Sequence, residues 1–119
     1  ERPNPLREKS YAYALDIVKF YKILTIEKKE YVLSKQLLKS GTSIGANVAE
    51  GLSAPTKKDF AHTLSIALKE ARECHYWLSL LRDGLYTTPE EITPLLQATT
   101  ELIALLTAII KTSRQTLVG

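Results

Sequence analysis

Residues 40–51 read SGTSIGANVAEG. Three glycines, two serines and an asparagine in twelve positions make the composition of a phosphate-cradling loop. A Walker-type loop, however, requires Gly-x-x-x-x-Gly-Lys-Ser/Thr so that the lysine reaches the phosphates. Here Gly41 and Gly45 are four apart, and Ala46-Asn47 stand where Lys-Ser/Thr is needed. A dinucleotide fingerprint follows a strand, and no strand-like run precedes this stretch. Read instead as helix, glycines at i and i+4 leave a strip of bare backbone that lets a neighbour approach closely. Each costs about 1 kcal/mol relative to alanine in a helix interior, so the strip predicts close packing, within one bundle or between subunits. Ile44 and Val48 flank it, and Ser43, Asn47 and Glu50 form an adjacent polar line. Buried polar groups need partners, so Asn47 and Glu50 point to a hydrogen-bond network tying this helix to its neighbours, or else to a partner contact.

The rest of the chain supports the helical reading. Asn4-Pro5 is an N-cap followed by proline at the first helical position. Tyr11, Leu15, Val18 and Tyr21 then recur at steps of four and three, one stripe of a first helix over about 5–26. The charged break at 27–30 leads into a second helix, 30–52, with Leu33, Leu37, Ile44 and Val48 on one face. Thr56 with Asp59 three residues on opens a third helix, 56–83. Its seam of Phe60, Leu64, Ala67, Ala71, Cys74, Leu78 and Leu81 is the cleanest periodic signal in the chain, and Gly84 is a natural C-cap. Thr88, Pro89 and Glu91 repeat the start signal for a fourth helix over 89–115. Pro94 either kinks that helix or marks its proper start, with Thr93 as cap. Four helices with short connections define an all-α, antiparallel up-and-down four-helix bundle, one domain over residues 1–119.

The signature stretch, extended to KQLLKSGTSIGANVAEG (35–51), resembles the bacterial four-helix-bundle proteins of the 23S rRNA-intervening sequence protein family. DFAHTLSIALKEARECHYWLSLL (59–81) and ELIALLTAIIKTSR (101–114) resemble that family's third and fourth helices, so nearly the whole chain is covered. The match is most specific over Ser43, Ile44, Ala46, Asn47, Glu50 and Gly51, while Gly45 stands where many rRNA-encoded members carry proline. The family in turn resembles the accessory proteins of diversity-generating retroelements, which form five-subunit barrels and bind nucleic acid. The resemblance implies a fold and an assembly, and no settled biochemical activity.

Composition bounds the function from outside. Hydrophobic residues make up 45% and charged residues 24% of the 119, as in ordinary globular domains. The single cysteine cannot form an intramolecular disulfide, so nothing calls for an oxidising compartment. The uncharged run Leu102–Ile110 is too short to cross a bilayer, and no signal peptide opens the chain. A cytoplasmic protein without a membrane span is expected. Residues 1–60 hold eleven Lys/Arg against seven Asp/Glu, and residues 61–119 five against six. The basic first half places Lys28 and Lys29 between helices, Lys35 and Lys39 one turn apart on the second helix, and Lys57 and Lys58 before the third. Lysines at a helix N-terminus oppose the macrodipole, so the last pair suits an external anion such as a nucleic-acid backbone.

No catalytic set emerges. His62 and His75, the only histidines, are thirteen apart, and no His/Cys/Asp/Glu group has metal-ligand spacing, so neither metal nor cofactor is implied. Cys74 and His75 adjoin, but neighbouring helical residues diverge by about 100°, and Cys74 lies on the apolar seam. Glu70 and Glu73 share a face beside Lys69 and Arg72, as in a surface salt-bridge lattice. Tyr76, Trp77 and Tyr86 fit core or interface better than a base-stacking platform. The expected function is therefore a non-enzymatic helical scaffold that assembles with itself and binds a partner, the alternative being a nucleic-acid-binding accessory factor. The fourth helix supplies the motive for assembly. Leu102, Leu106 and Ile109 lie on one side, Ile103 and Ile110 on another and Leu105 on a third, more apolar faces than a four-helix bundle covers. A homo-oligomer is expected, with a ring of five favoured by the resemblance alone.

Overall fold

The chain folds into four helices whose starts are dictated by side-chain caps. The structure is a computed structural model and describes residues 4–118, with side chains through residue 116. Residues 1–3 and 119 of the expected domain lie outside the described residues. Helix α1 spans Pro5–Lys22, with Asn4 Oδ1 accepting the Arg7 amide at 3.0 Å. Helix α2 spans Leu33–Leu52, α3 Lys57–Asp83 and α4 Pro89–Val118. Successive helices are antiparallel neighbours, and α4 closes on α1 over a shorter stretch, giving a bundle 50 × 26 × 22 Å.

The buried face of α1 corrects the sequence reading. Leu6, Ser10, Tyr13, Ile17, Phe20 and Leu24 enter the core, whereas Tyr11 and Leu15 are exposed and Val18 and Tyr21 only half-buried. Both sets recur at steps of three and four, and periodicity alone does not say which set faces inward. The seam chosen for α3 is the one observed: Leu64, Ala67, Ala71, Cys74, Leu78 and Leu81 are fully buried, with Phe60 packed beside them.

Connections also differ from expectation in detail. After Lys22 the helix widens into a π turn, Ile23–Glu27, in which the Lys28 amide reaches the Ile23 carbonyl at 3.1 Å. Lys29 then takes a left-handed conformation, φ 57°, and the Glu30 amide bonds the Leu24 carbonyl. Helix α2 begins at Leu33 rather than 30 because Glu30 acts as its cap. Its Oε2 accepts from Val32 and Leu33, and its Oε1 accepts from Ser34 at 2.6 Å. At the other connection the left-handed residue is Leu85, φ 65°, not Gly84. Gly84 serves a different need, since a Cβ there would stand 2.8 Å from the Leu80 carbonyl oxygen.

Helix α4 starts at Pro89 and runs through Pro94 unbroken. The expected capping box is present: Thr88 N donates to Glu91 Oε1 at 3.0 Å, and Glu91 N donates to Thr88 Oγ1 at 3.3 Å. By length and composition alone α4 is long and apolar enough to cross a membrane, with a mean hydropathy of 1.5 over its richest window. In the bundle it lays Ile92, Leu95, Thr99, Leu102, Leu106 and Ile110 against the core.

Candidate functional site

The glycine strip resolves as an intra-bundle contact. A Cβ on Gly41 would lie 2.8 and 2.9 Å from the two γ-carbons of Ile17, and one on Gly45 would lie 3.3 Å from the Ser10 carbonyl oxygen. Both glycines therefore face α1, and Ile44 and Val48 beside them are fully buried. Gly51 faces α3 instead, against Leu64 and Thr63. Closing α1 onto bare backbone offsets the propensity lost in α2. Asn47 and Glu50 do not tie helices together. Asn47 Nδ2 donates to the Ser43 carbonyl of its own helix at 2.8 Å, and Glu50 stands exposed. Ser43 bonds the Lys39 carbonyl, and Ala46 is exposed, so the motif divides into a buried face and an outward one.

The six lysines do not form one patch. Lys28 is engaged by Glu91 at 3.2 Å, a pair that straps the first connection to the start of α4. Lys29 lies at that same end, while Lys57 and Lys58 lie at the opposite end, separated by the length of α2, about 30 Å at 1.5 Å per residue. Lys35 and Lys39 are exposed between them, and the Lys39 charge partly opposes the upward shift that burial imposes on the Glu70 carboxyl.

Buried polar chemistry is concentrated at one level of the core. Thr99 Oγ1 donates to the Leu95 carbonyl at 2.7 Å, which leaves Tyr13 as the donor in the 2.6 Å Tyr13 Oη–Thr99 Oγ1 bond. This bond joins α1 to α4, and the Cys74 thiol of α3 sits beside the same hydroxyl. Burial pushes the thiol up to about 12, with the neighbouring Tyr13 hydroxyl opposing that shift. The Tyr13 phenol is likewise raised, first by burial and then by Cys74. Sequence periodicity, having chosen the other stripe of α1, missed this trio. Cys74 is wholly buried and His75 exposed, so the two are not brought together.

The surface acids depart from the expected lattice. Among the described residues the ion pairs are Lys28–Glu91 and Arg82–Asp83, and neither Glu70 nor Glu73 enters one. Partial burial, then the Glu73 charge, raises the Glu70 carboxyl despite Lys69 and Lys39. No group of three metal-ligating side chains occurs among the described residues. Trp77 is half-buried against the core, in a T-shaped contact with Tyr76 at 5.1 Å between ring centroids.

Helix α4 does not present the free apolar faces expected of it. Leu102, Leu106 and Ile110 are consumed by the core, and Ile103, Leu105 and Ile109 are half-buried and packed against it. Ile110 joins Leu102 and Leu106 rather than Ile103 because it stands one turn, four residues, beyond Leu106. Its exposed positions between 100 and 108 are Thr100, Glu101, Ala104, Thr107 and Ala108. Exposed apolar surface lies elsewhere: Tyr11 and Leu15 on α1, Ile66, Tyr76 and Leu80 on α3, and Ile26, Tyr31, Val32 and Leu85 in the connections at one end.

A solved structure from Bacteroides thetaiotaomicron VPI-5482, described as a protein with unknown function from the S23 ribosomal protein family, superposes with a TM-score of 0.87 at 48% identity. The match covers 89% of this chain and 98% of that one. Among curated proteins no relative matches. The sequence pattern of one family extends over residues 4–108, from the cap of α1 to most of α4 and across the glycine strip. The chain belongs to the 23S rRNA-intervening sequence protein family.

Proposed function

We propose that this protein is a non-enzymatic helical scaffold that assembles with copies of itself and holds a partner. One observation carries the reading. Helix α1 has two apolar stripes, and the outer one leaves Tyr11 66% and Leu15 45% exposed. A monomeric bundle needs one stripe per helix, and a second one in helical register is a surface built for another helix. The buried, protonated Cys74 and the separated, exposed histidines support a role without catalysis. A ring of five is the assembly that the family resemblance favours. Light scattering after size exclusion tests the reading: the expected mass is a multiple of 13.3 kDa, and a mass near 13.3 kDa at micromolar concentration rejects self-assembly.

A second reading, nucleic-acid binding, draws on the exposed Lys29, Lys35, Lys57 and Lys58, none of which is paired with a carboxylate among the described residues. Backbone contacts through such lysines weaken steeply as salt rises from about 50 to about 200 mM. Anisotropy of labelled single-stranded RNA or duplex DNA should show that loss. Binding untouched by Lys57→Glu with Lys58→Glu, or none at low salt, rejects it.

A further inference from the structure

We infer that the outer stripe of α1 docks on the outer face of α3 of a second copy, with the two helices parallel and nearly in register, so that copies join head to tail. The inference rests on the self-assembly reading and names its contact. Among the described residues, exposed large apolar side chains on the four α-helices fall into two groups, Tyr11 and Leu15 on α1 and Ile66, Tyr76 and Leu80 on α3. Because α1 packs on α2 and α4, and α3 on the same two helices, α1 and α3 occupy opposite corners of the bundle. Their outer faces look away from each other, so neither covers the other within one chain. Two unlike faces on opposite sides make a heterologous contact, which propagates from copy to copy.

The charges fit this occupant. Across the core the Tyr13 hydroxyl meets the Cys74 thiol, so these two residues mark a common height on helices that run in the same direction. Copies related by an axis along the bundle keep their heights. Counting along both helices from that level, Leu15 of one copy faces Tyr76 of the next, with opposite charges at both ends of the contact: Glu8 faces Lys69, and Lys22 faces Asp83. Tyr11 comes level with Arg72, a cation–π pairing. Beside Arg72, a shallow depression of about 400 Å³ lies between Ser65, Lys69 and Tyr76 on the α3 face and can take the tyrosine. A face carrying both signs, with an apolar centre, suits this matched surface rather than a polyanion.

Two variants with intact cores test the contact. Leu15→Glu and Tyr76→Glu each place a charge at its centre, and both positions are exposed, so helical circular dichroism should be unchanged. Each variant alone should run near 13.3 kDa in size exclusion with light scattering. Mixed, they should form a dimer of twice that mass and stop there, because the intact α1 of one meets the intact α3 of the other. A same-face contact could not give that complementation. As a register test, Glu8→Lys should weaken assembly, and adding Lys69→Glu in the same chain should restore it. If the unaltered protein is itself 13.3 kDa, self-assembly and this contact both fall. If it assembles but either variant assembles equally well, or the mixture stays monomeric, only the contact is overturned.

Discussion

Glu30 shows how one side chain sets a helix boundary. Burial raises its carboxyl pKa, but amide donors from Leu33, Ser34 and Val32 outweigh that and hold it below the ordinary carboxylate range. Three amides at a helix start are orphans unless something accepts them. A group with a depressed folded pKa contributes stability above its unfolded pKa, and that contribution is lost as pH falls through the folded value. Glu30→Ala should therefore lower stability at neutral pH by about 1–2 kcal/mol, as lost caps do. The gap between the melting temperatures of the two proteins should shrink below about pH 4. A gap unchanged down to about pH 3 would reject the carboxylate as the stabilising group. Gly41 is the second residue on which local structure turns. Because a methyl there meets two Ile17 γ-carbons below 3.0 Å, Gly41→Ala should destabilise by about 1–3 kcal/mol despite its better helix propensity. Gly45→Ala, whose Cβ meets Ser10 at 3.3 Å, should be milder. Equal melting temperatures for Gly41→Ala and the unaltered protein would refute the close-packing account.

At the scale of elements, what was legible depended on whether a signal had one structural meaning. Caps have one: Asn4, Thr56 and the Thr88–Glu91 box all start helices where the sequence places them. The α3 seam was legible because it keeps steps of three and four from Phe60 to Leu81, while the outer apolar residues Ile66, Tyr76 and Leu80 are too widely spaced to compete with it. Helix α1 was misread because it carries two stripes, and the one that lines the core includes Ser10 and Tyr13, whose polar atoms are satisfied locally or by Thr99. Helix α4 was misread in the opposite sense. Its apolar arc is wide, but α1 and α3 together cover it, leaving alanine and threonine outside. The outward faces on which function depends could not be read from periodicity, because exposure is decided by which neighbours arrive. Pro94 is informative in this respect. It sits in α4 beyond the first turn, where its missing N–H leaves the Glu90 carbonyl without its helical donor, yet the helix continues. Being exposed, Pro94→Ala should restore that bond and raise the melting temperature, by up to about 3 kcal/mol of stability. A lower melting temperature would mean that the proline's fixed φ matters more than the lost hydrogen bond.

For the whole molecule, the level marked by Tyr13, Thr99 and Cys74 is where α1, α3 and α4 meet, and it reports on the bundle as a unit. None of these three helices can move away without exposing the thiol or breaking the 2.6 Å Tyr13–Thr99 bond, a buried side-chain link between α1 and α4. With its pKa pushed up to about 12, the thiol carries almost no thiolate at mild alkaline pH, and the reagent that would attack it has no path inward. Reaction with an aromatic disulfide reagent at about pH 8 should then be slower than that of a free cysteine, pKa about 8.5, by several orders of magnitude. It should accelerate with denaturant in step with the loss of helical circular dichroism, since small domains open cooperatively. Tyr13→Phe removes the cross-link and should lower stability by about 1 kcal/mol, with the thiol reacting correspondingly faster at every denaturant concentration. Rapid labelling of the native protein, or labelling that precedes the loss of helix, would show instead that α1 opens from the bundle alone.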